Sequence, residues 1–458
     1  MMPGVNRMGS LVAAGTLLFL AAGSSASERT ADVDTARGMP RLLVDGKPKV
    51  PLAFFYNTDI RGWRESGHMQ KQVGLAREAG VHLYSMSFRT PRKRPKGTET
   101  NWEYCDRYLE AFVELDPEAT FLLRLYAGPD WSWDSWDEID PEHRALYADG
   151  TRGKISIASD YFFGPTDRDL ARIIRHYENS AYADRILIYE IGGPNIEMFH
   201  EQYRRKGPDY NPMNEARFRT WLAGKYGTDK ALQKAWGQPE ASLETAGIPR
   251  FEPGRFPMTR TPEEGTVDVL YELPEEQNWV DYSAYANEIV ADRLLDWARI
   301  VRTETGGRKL SLFFYGYTFE LPGSFSGHYE LGRVLRSPDV DILASPYSYV
   351  DRDLGGAGSF MSPVDSVTAH GKLWFNEDDT RTYLISTETE KKSGLSFHGT
   401  GGLTAEESLG VLDRNLGAIY VHRAGTWWMD LISRGAFGDD RFWELLERRK
   451  ARFRERLA

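Results

Sequence analysis

Apolar residues in this chain come in runs of four to eight, each followed by a longer stretch whose apolar positions recur at helical spacing. The first run ends at Phe55, after a short strand and an Asp45-Gly46 turn. The next seven cover residues 81–88, 120–126, 185–191, 309–315, 340–345, 372–377 and 426–429. Helical periodicity is clearest over 69–79, 102–115, 167–177, 279–303 and 439–457. Short apolar runs predict strands buried on both faces, and their alternation with helices predicts a parallel sheet. Eight such units predict an α/β chain closed into a (β/α)8 TIM barrel. An open doubly wound sheet uses the same alternation but announces its ligand with a Gly-rich loop after the first strand. Here that strand ends in FFYN, and no P-loop, HExxH or GxSxG pattern is present.

The barrel domain is expected over residues 41–458, with a large insertion at 201–278 after strand four. The insertion carries helical text at 216–226 and 230–236 and Pro-rich connections at 251–262. Two uses fit a segment on that face of a barrel: shaping the cleft, or forming a homo-oligomer surface. Residues 1–26 have the make-up of a secretory signal, with Arg7, an apolar stretch at 11–22 and the small residues Ser24, Ser25 and Ala26. A polar linker over 27–40 follows. The expected location is therefore secreted or periplasmic, with no membrane association after cleavage. The lone Cys105 has no intrachain partner, so core packing must hold the fold, and a thiol in helical text is expected to be packed rather than catalytic.

A formal charge of −10 argues against a nucleic-acid partner. Nine His residues are scattered without ligand spacing, so no metal or cofactor is expected. The 13 Trp, 23 Tyr and 22 Phe residues exceed what a core needs and leave aromatics for a binding cleft.

In a barrel, function is read from the C-terminal ends of the strands. Those ends carry Tyr56 and Asn57 on strand one, Arg124 and Tyr126 on three, Glu190 on four, Tyr315 on five, Tyr347 after six, Asn376 and Glu377 on seven, and Trp427 on eight. Strand four continues as IYEIGGPNIEMFH, which places Asn195 and Glu197 past a Gly-Gly turn, and strand seven as GKLWFNEDDTRT, which adds Arg381. Aromatic rings and two carboxylates on strands half a barrel apart suit a sugar. Glycoside hydrolysis needs two carboxyl groups across the scissile bond, one as acid and one as nucleophile or base. Glu377, with Arg381 nearby, reads as the ionised one; Glu197, among Ile196, Met198 and Phe199, reads as the protonated one. Glu190 is the rival acid.

Together with SPDVDILASPYSY and FRTWLAGKYGTDKALQKAWG, these two motifs resemble glycoside hydrolase family 42 and related clan A glycosidases, over roughly residues 41–430. The resemblance implies a retaining, exo-acting β-glycosidase of the β-galactosidase kind, acting on oligo- or polysaccharide, with its acid/base after strand four and its nucleophile on strand seven. Glu377 falls where the nucleophile is expected. The acid/base motif departs from the family, whose members carry Asn directly before Glu; here the order is Asn195-Ile196-Glu197. In this reading Asn195 and Arg124 position hydroxyls and Trp427 is a stacking platform. The alternatives are a β-mannosidase or another exo-β-glycosidase, an inverting enzyme, and a barrel that binds carbohydrate without cleaving it.

Overall fold

The computed structural model describes residues 29–56, 67–88, 102–126, 140–193, 207–251, 271–319, 327–385, 403–431 and 434–457. Eight parallel strands close into a barrel in chain order: Leu52–Tyr56, Leu83–Phe88, Thr120–Tyr126, Ile186–Gly192, Leu310–Phe313, Ile342–Pro346, Leu373–Asp378 and Gly425–Asp430. They are called strands one to eight below. The closing pair, strands eight and one, runs from Thr426 beside Leu52 to Asp430 beside Tyr56. The long helix Gln277–Thr305 packs beside helix Asp160–Glu178, and helix Asp440–Leu457 beside helix Ala405–His422.

Successive strand residues face alternately into the barrel and out to the helices, and laterally paired residues share a face. Phe54 meets Phe437 and Trp443 in the helical layer, so Phe55 points inward. Phe55 pairs with Ser85, Ser85 with Leu122, Arg124 with Glu190, and Glu190 with Leu312. On the other side Phe375 pairs with Ala344, and Glu377 with both Pro346 and Trp427. Among the described residues the interior is uncharged in its lower part, where Ser85 lies among apolar side chains, and turns charged only at Arg124, Glu190 and Glu377, near the C-terminal ends. That is where a barrel carries its chemistry.

The stretch read as a polar linker holds a strand, Ala31–Asp34, antiparallel to Arg41–Val44, which pairs in turn with Lys47–Pro48. ADVD has no apolar run to announce it; the strand is held by backbone pairing. This small sheet sits at the N-terminal end of the barrel, where Lys309 Nζ donates to the carbonyls of Arg29 and Ala183. Close by, Lys450 of the last helix donates to the carbonyls of Ala79 and Gly80, satisfying the end of helix His68–Glu78.

Between strand four and the long helix lie helix Pro212–Tyr226, capped by Asn211, and helix Asp229–Trp236, capped by Thr228. Buried Asp281 fastens both to the long helix. It accepts from Lys225 Nζ (2.7 Å), Tyr226 Oη (2.8 Å), Trp236 Nε1 (2.7 Å) and Gln277 Nε2 (2.9 Å). Asp281→Asn turns one of these acceptor atoms into a donor, and should cost about 2–3 kcal/mol of unfolding free energy in urea titrations. A loss below about 0.5 kcal/mol would show that the cluster does not anchor the insertion.

Candidate active site

Glu377 is the fifth of six residues in strand seven and faces inward with Phe375. Its Oε2 accepts from Arg124 Nη2 at 2.9 Å and from Trp427 Nε1 at 2.9 Å. Oε1 has no partner. Arg124, from strand three, also ion-pairs with Glu190 of strand four, Nε to Oε1 at 2.7 Å. One guanidinium therefore serves two carboxylates from opposite parts of the barrel. Rings wall it in, with its carbon 4.6 Å from the centre of Phe55, 5.3 Å from Phe314 and 5.4 Å from Trp427. Trp427 itself lies over Phe375, at 5.9 Å and 26° between planes.

Burial raises both carboxyl groups, and Arg124 pulls each back. Two carboxylates and one cation in a dry interior favour keeping one proton. Glu377 has two donors on its charged oxygen. Glu190 has the single ion pair, and its Oε2 is buried without a partner. The proton therefore rests on Glu190, whose carboxyl is pushed up to about 7. A carboxyl raised from 4.5 stabilises the fold in its protonated form. That contribution is complete below about pH 4.5 and is lost as pH rises to about 7. Unfolding free energy should fall across this window by on the order of 3 kcal/mol, and Glu190→Gln should flatten the slope. The same slope in Glu190→Gln would assign the proton elsewhere.

Of the residues singled out from sequence, the structure brings together Arg124, Glu377 and Trp427, with Glu190 as the fourth member. Trp427 is fully buried with its indole N–H on Glu377, so it orients the carboxylate and presents no open platform. Four others face away. Asn376 shares the helix-facing side with Trp374, whose Nε1 donates to it at 3.2 Å, and its own amide donates to the Glu377 carbonyl. Tyr56 alternates outward with Phe54. Tyr315 stacks on His328 at 4.7 Å, and its hydroxyl accepts from the Glu330 amide. The Tyr347 hydroxyl donates to the Asn415 carbonyl. Arg381 donates to the Asp379 carbonyl at 2.6 Å, and the guanidinium that meets Glu377 is that of Arg124. Asn57, Asn195 and Glu197 lie outside the described residues.

Asn also stands directly before Glu at Asn214-Glu215 and Asn287-Glu288, but both pairs lie in helices and serve structural ends: Asn214 donates to the Asp209 carbonyl, and Glu288 accepts from Trp221. Cys105 is buried in helix Trp102–Leu115, where burial pushes its thiol up to about 12. Among the described residues no three His, Cys, Asp or Glu side chains gather as a metal site, and no helix is long and apolar enough to cross a membrane.

A closed parallel barrel with buried carboxylates near the ends of strands four and seven is an arrangement that several chemistries share, glycoside hydrolysis among them. Comparison with known proteins narrows this: the chain is similar to glycoside hydrolase family 42, whose sequence profile, described as β-galactosidase, matches residues 58–246. A β-galactosidase of Thermus thermophilus is 24% identical over 176 residues, 38% of this chain and 25% of that protein. The catalytic domain of β-amylase from Paenibacillus polymyxa shares the fold with a TM-score of 0.59 at 15% identity, covering 85% of this chain and 94% of that one. The β-galactosidase from psychrophilic Marinomonas ef1 does so with a TM-score of 0.60 at 14% identity, covering 89% and 60%. The chain thus spans a quarter of the Thermus protein and three fifths of the Marinomonas one. The profile match contains Arg124, Glu190 and Glu197 and ends before Glu377.

Proposed function

We propose that this chain is an exported, retaining β-glycosidase that removes terminal β-linked sugars, β-galactosides first, from oligo- or polysaccharides. The observation that carries the reading is Glu377: an inward carboxylate near the end of strand seven, with one oxygen fixed by Arg124 and Trp427 and the other unencumbered. Held this way, Oε1 is free to attack an anomeric carbon, and the two donors disperse the negative charge that keeps the group ionised. The glycosyl–Glu377 ester that forms is then hydrolysed by water, returning the carboxylate.

The leaving oxygen needs a proton, and Glu197, on the segment that follows strand four, is assigned to give it. Glu190 shares the raised carboxyl an acid requires. It is nevertheless bound to Arg124, the same guanidinium that holds Glu377, and is fully buried, which suits a residue that keeps Arg124 in place. Export rests on the signal-like character of residues 1–26.

The test is hydrolysis of aryl β-galactoside, mannoside, glucoside, fucoside and arabinoside, with the first-formed anomer read by NMR and Glu197→Ala and Glu190→Gln run alongside. Cleavage of the galactoside with retention, lost in Glu197→Ala on substrates with poor leaving groups, supports the assignment. An inverted product would replace double displacement by direct attack of water. Binding without turnover across the panel would leave a carbohydrate-binding barrel.

A further inference from the structure

Beyond Glu377 the chain passes through Asp378, Asp379, Thr380 and Arg381, all buried. Asp379 lies close enough to Glu377 for its charge to oppose ionisation there. Arg352 reaches this turn from the segment after strand six. Its guanidinium lies over the Tyr349 ring, 5.1 Å from the centre, and Nη2 makes both of its hydrogen bonds, to Asp379 Oδ1 at 2.6 Å and to Thr380 Oγ1 at 3.3 Å.

Nε and Nη1 of Arg352 are buried and have no hydrogen-bond partner, although the residue is only 2% exposed. Three of the five N–H donors of a guanidinium are thereby unused. Neighbouring charge does not account for them. Asp378 faces outward, where it accepts from Asn415 and the Thr380 amide. Arg381 donates to the Asp379 carbonyl, and Arg414 donates to the carbonyl of Arg352 itself. Arg381 and Arg414 thus bond backbone carbonyls at this turn, while Arg352 holds the Asp379 carboxylate. Buried donors left without acceptors are costly, and each one in a native structure calls for a reason, such as strain, a functional role or a bound water or ion. Fixed on an aromatic face with its Nη2 held by Asp379 and Thr380, the guanidinium keeps Nε–H on one edge and Nη1–H on another, each able to donate a charge-assisted hydrogen bond to an oxygen of a carboxylate or sulfate.

We propose that Arg352 binds an anionic group on the sugar, a uronate carboxylate or a sulfate ester, so that the substrate is an acidic β-glycoside. This rests on the glycosidase reading and adds charge to it. An arginine that only clamped the turn would affect every substrate alike.

The wild type should be assayed on 4-nitrophenyl β-galactoside, β-glucuronide, β-galacturonide and 6-sulfo-β-galactoside. One charged substrate should exceed the neutral galactoside at least tenfold in kcat/KM, mainly through KM, and should weaken as NaCl is raised. The uronides and the sulfate ester separate the two sources of charge. Arg352→Gln should lower the charged-to-neutral ratio at least tenfold, and Arg352→Lys should restore part of it; thermal melts of both variants report folding. A neutral preference, or an unchanged ratio in Arg352→Gln, overturns the proposal and leaves the glycosidase reading standing. Calorimetric titration of Glu377→Gln protein with glucuronic acid, galacturonic acid, galactose 6-sulfate and galactose gives a readout free of turnover. Binding of an acidic sugar that disappears when Arg352→Gln is added supports the assignment even where nothing is hydrolysed. Equal binding, or none, rejects it.

Discussion

Glu377→Gln should lower kcat/KM on an aryl β-galactoside by about 10⁴-fold or more, equivalent to about 5.5 kcal/mol of transition-state stabilisation. Glutamine has nearly the shape of glutamate, and its carbonyl oxygen can still accept from Arg124 and Trp427. The fold therefore has little to lose, while the amide cannot form the glycosyl ester. A thermal melt within a few degrees of wild type, beside the kinetic loss, would separate chemistry from folding. Removing the negative charge also leaves Arg124 with one carboxylate in place of two, which should draw the Glu190 carboxyl downward. Residual activity above about 1% of wild type would mean that another group attacks the sugar, and the assignment of Glu377 would fall.

Arg124→Met should destabilise the protein by about 3–5 kcal/mol at neutral pH, because it strands two buried carboxyl groups without their common cation. Methionine fills part of the space between Phe55, Phe314 and Trp427, so the loss reports charge more than volume. The effect has a definite sign in pH. Both carboxyls can escape by taking up protons, so the penalty should shrink when urea titrations are repeated near pH 5. Adding Glu190→Gln to Arg124→Met should recover a sizeable part of the loss at pH 7.5, since one stranded charge is gone. Equal penalties at both pH values, or no recovery in the double variant, would show that Arg124 acts through packing alone.

The barrel was legible in the sequence because its strands are buried on both faces and so stand out as apolar runs between helices. Strand three and the helix Trp102–Leu115 that precedes it could be bounded closely for that reason. The strand Ala31–Asp34 and the hairpin Arg144–Leu146 with Arg152–Ile155 were not, because their pairing is backbone-driven and their side chains alternate with polar groups. At the site, composition located the right strand ends but did not tell which side chains turn inward. Alternation settles that: once Glu377 faces the interior, Asn376 must face the helices. Trp427 and Trp428 divide the same way, the latter packing on Phe442 and Trp443. Proximity in sequence misled in one instance. Arg381 is four residues from Glu377, yet the guanidinium on that carboxylate comes from 253 positions away. No local pattern encodes such a pairing; closure of the sheet creates it.

That closure has a consequence for how the protein acquires activity. Arg124 and Glu190 are made early in the chain and Glu377 and Trp427 late, so the four-residue cluster is split between two halves of the sequence. A nascent chain that has completed only strand four has made Arg124 and Glu190 but neither Glu377 nor Trp427. The reactive carboxylate gains its orienting donor from strand three only when the two halves meet along the contacts of strands four with five and eight with one. If the chain is the glycosidase proposed above, its activity is thus a late event of synthesis, and a product truncated before strand seven would have none.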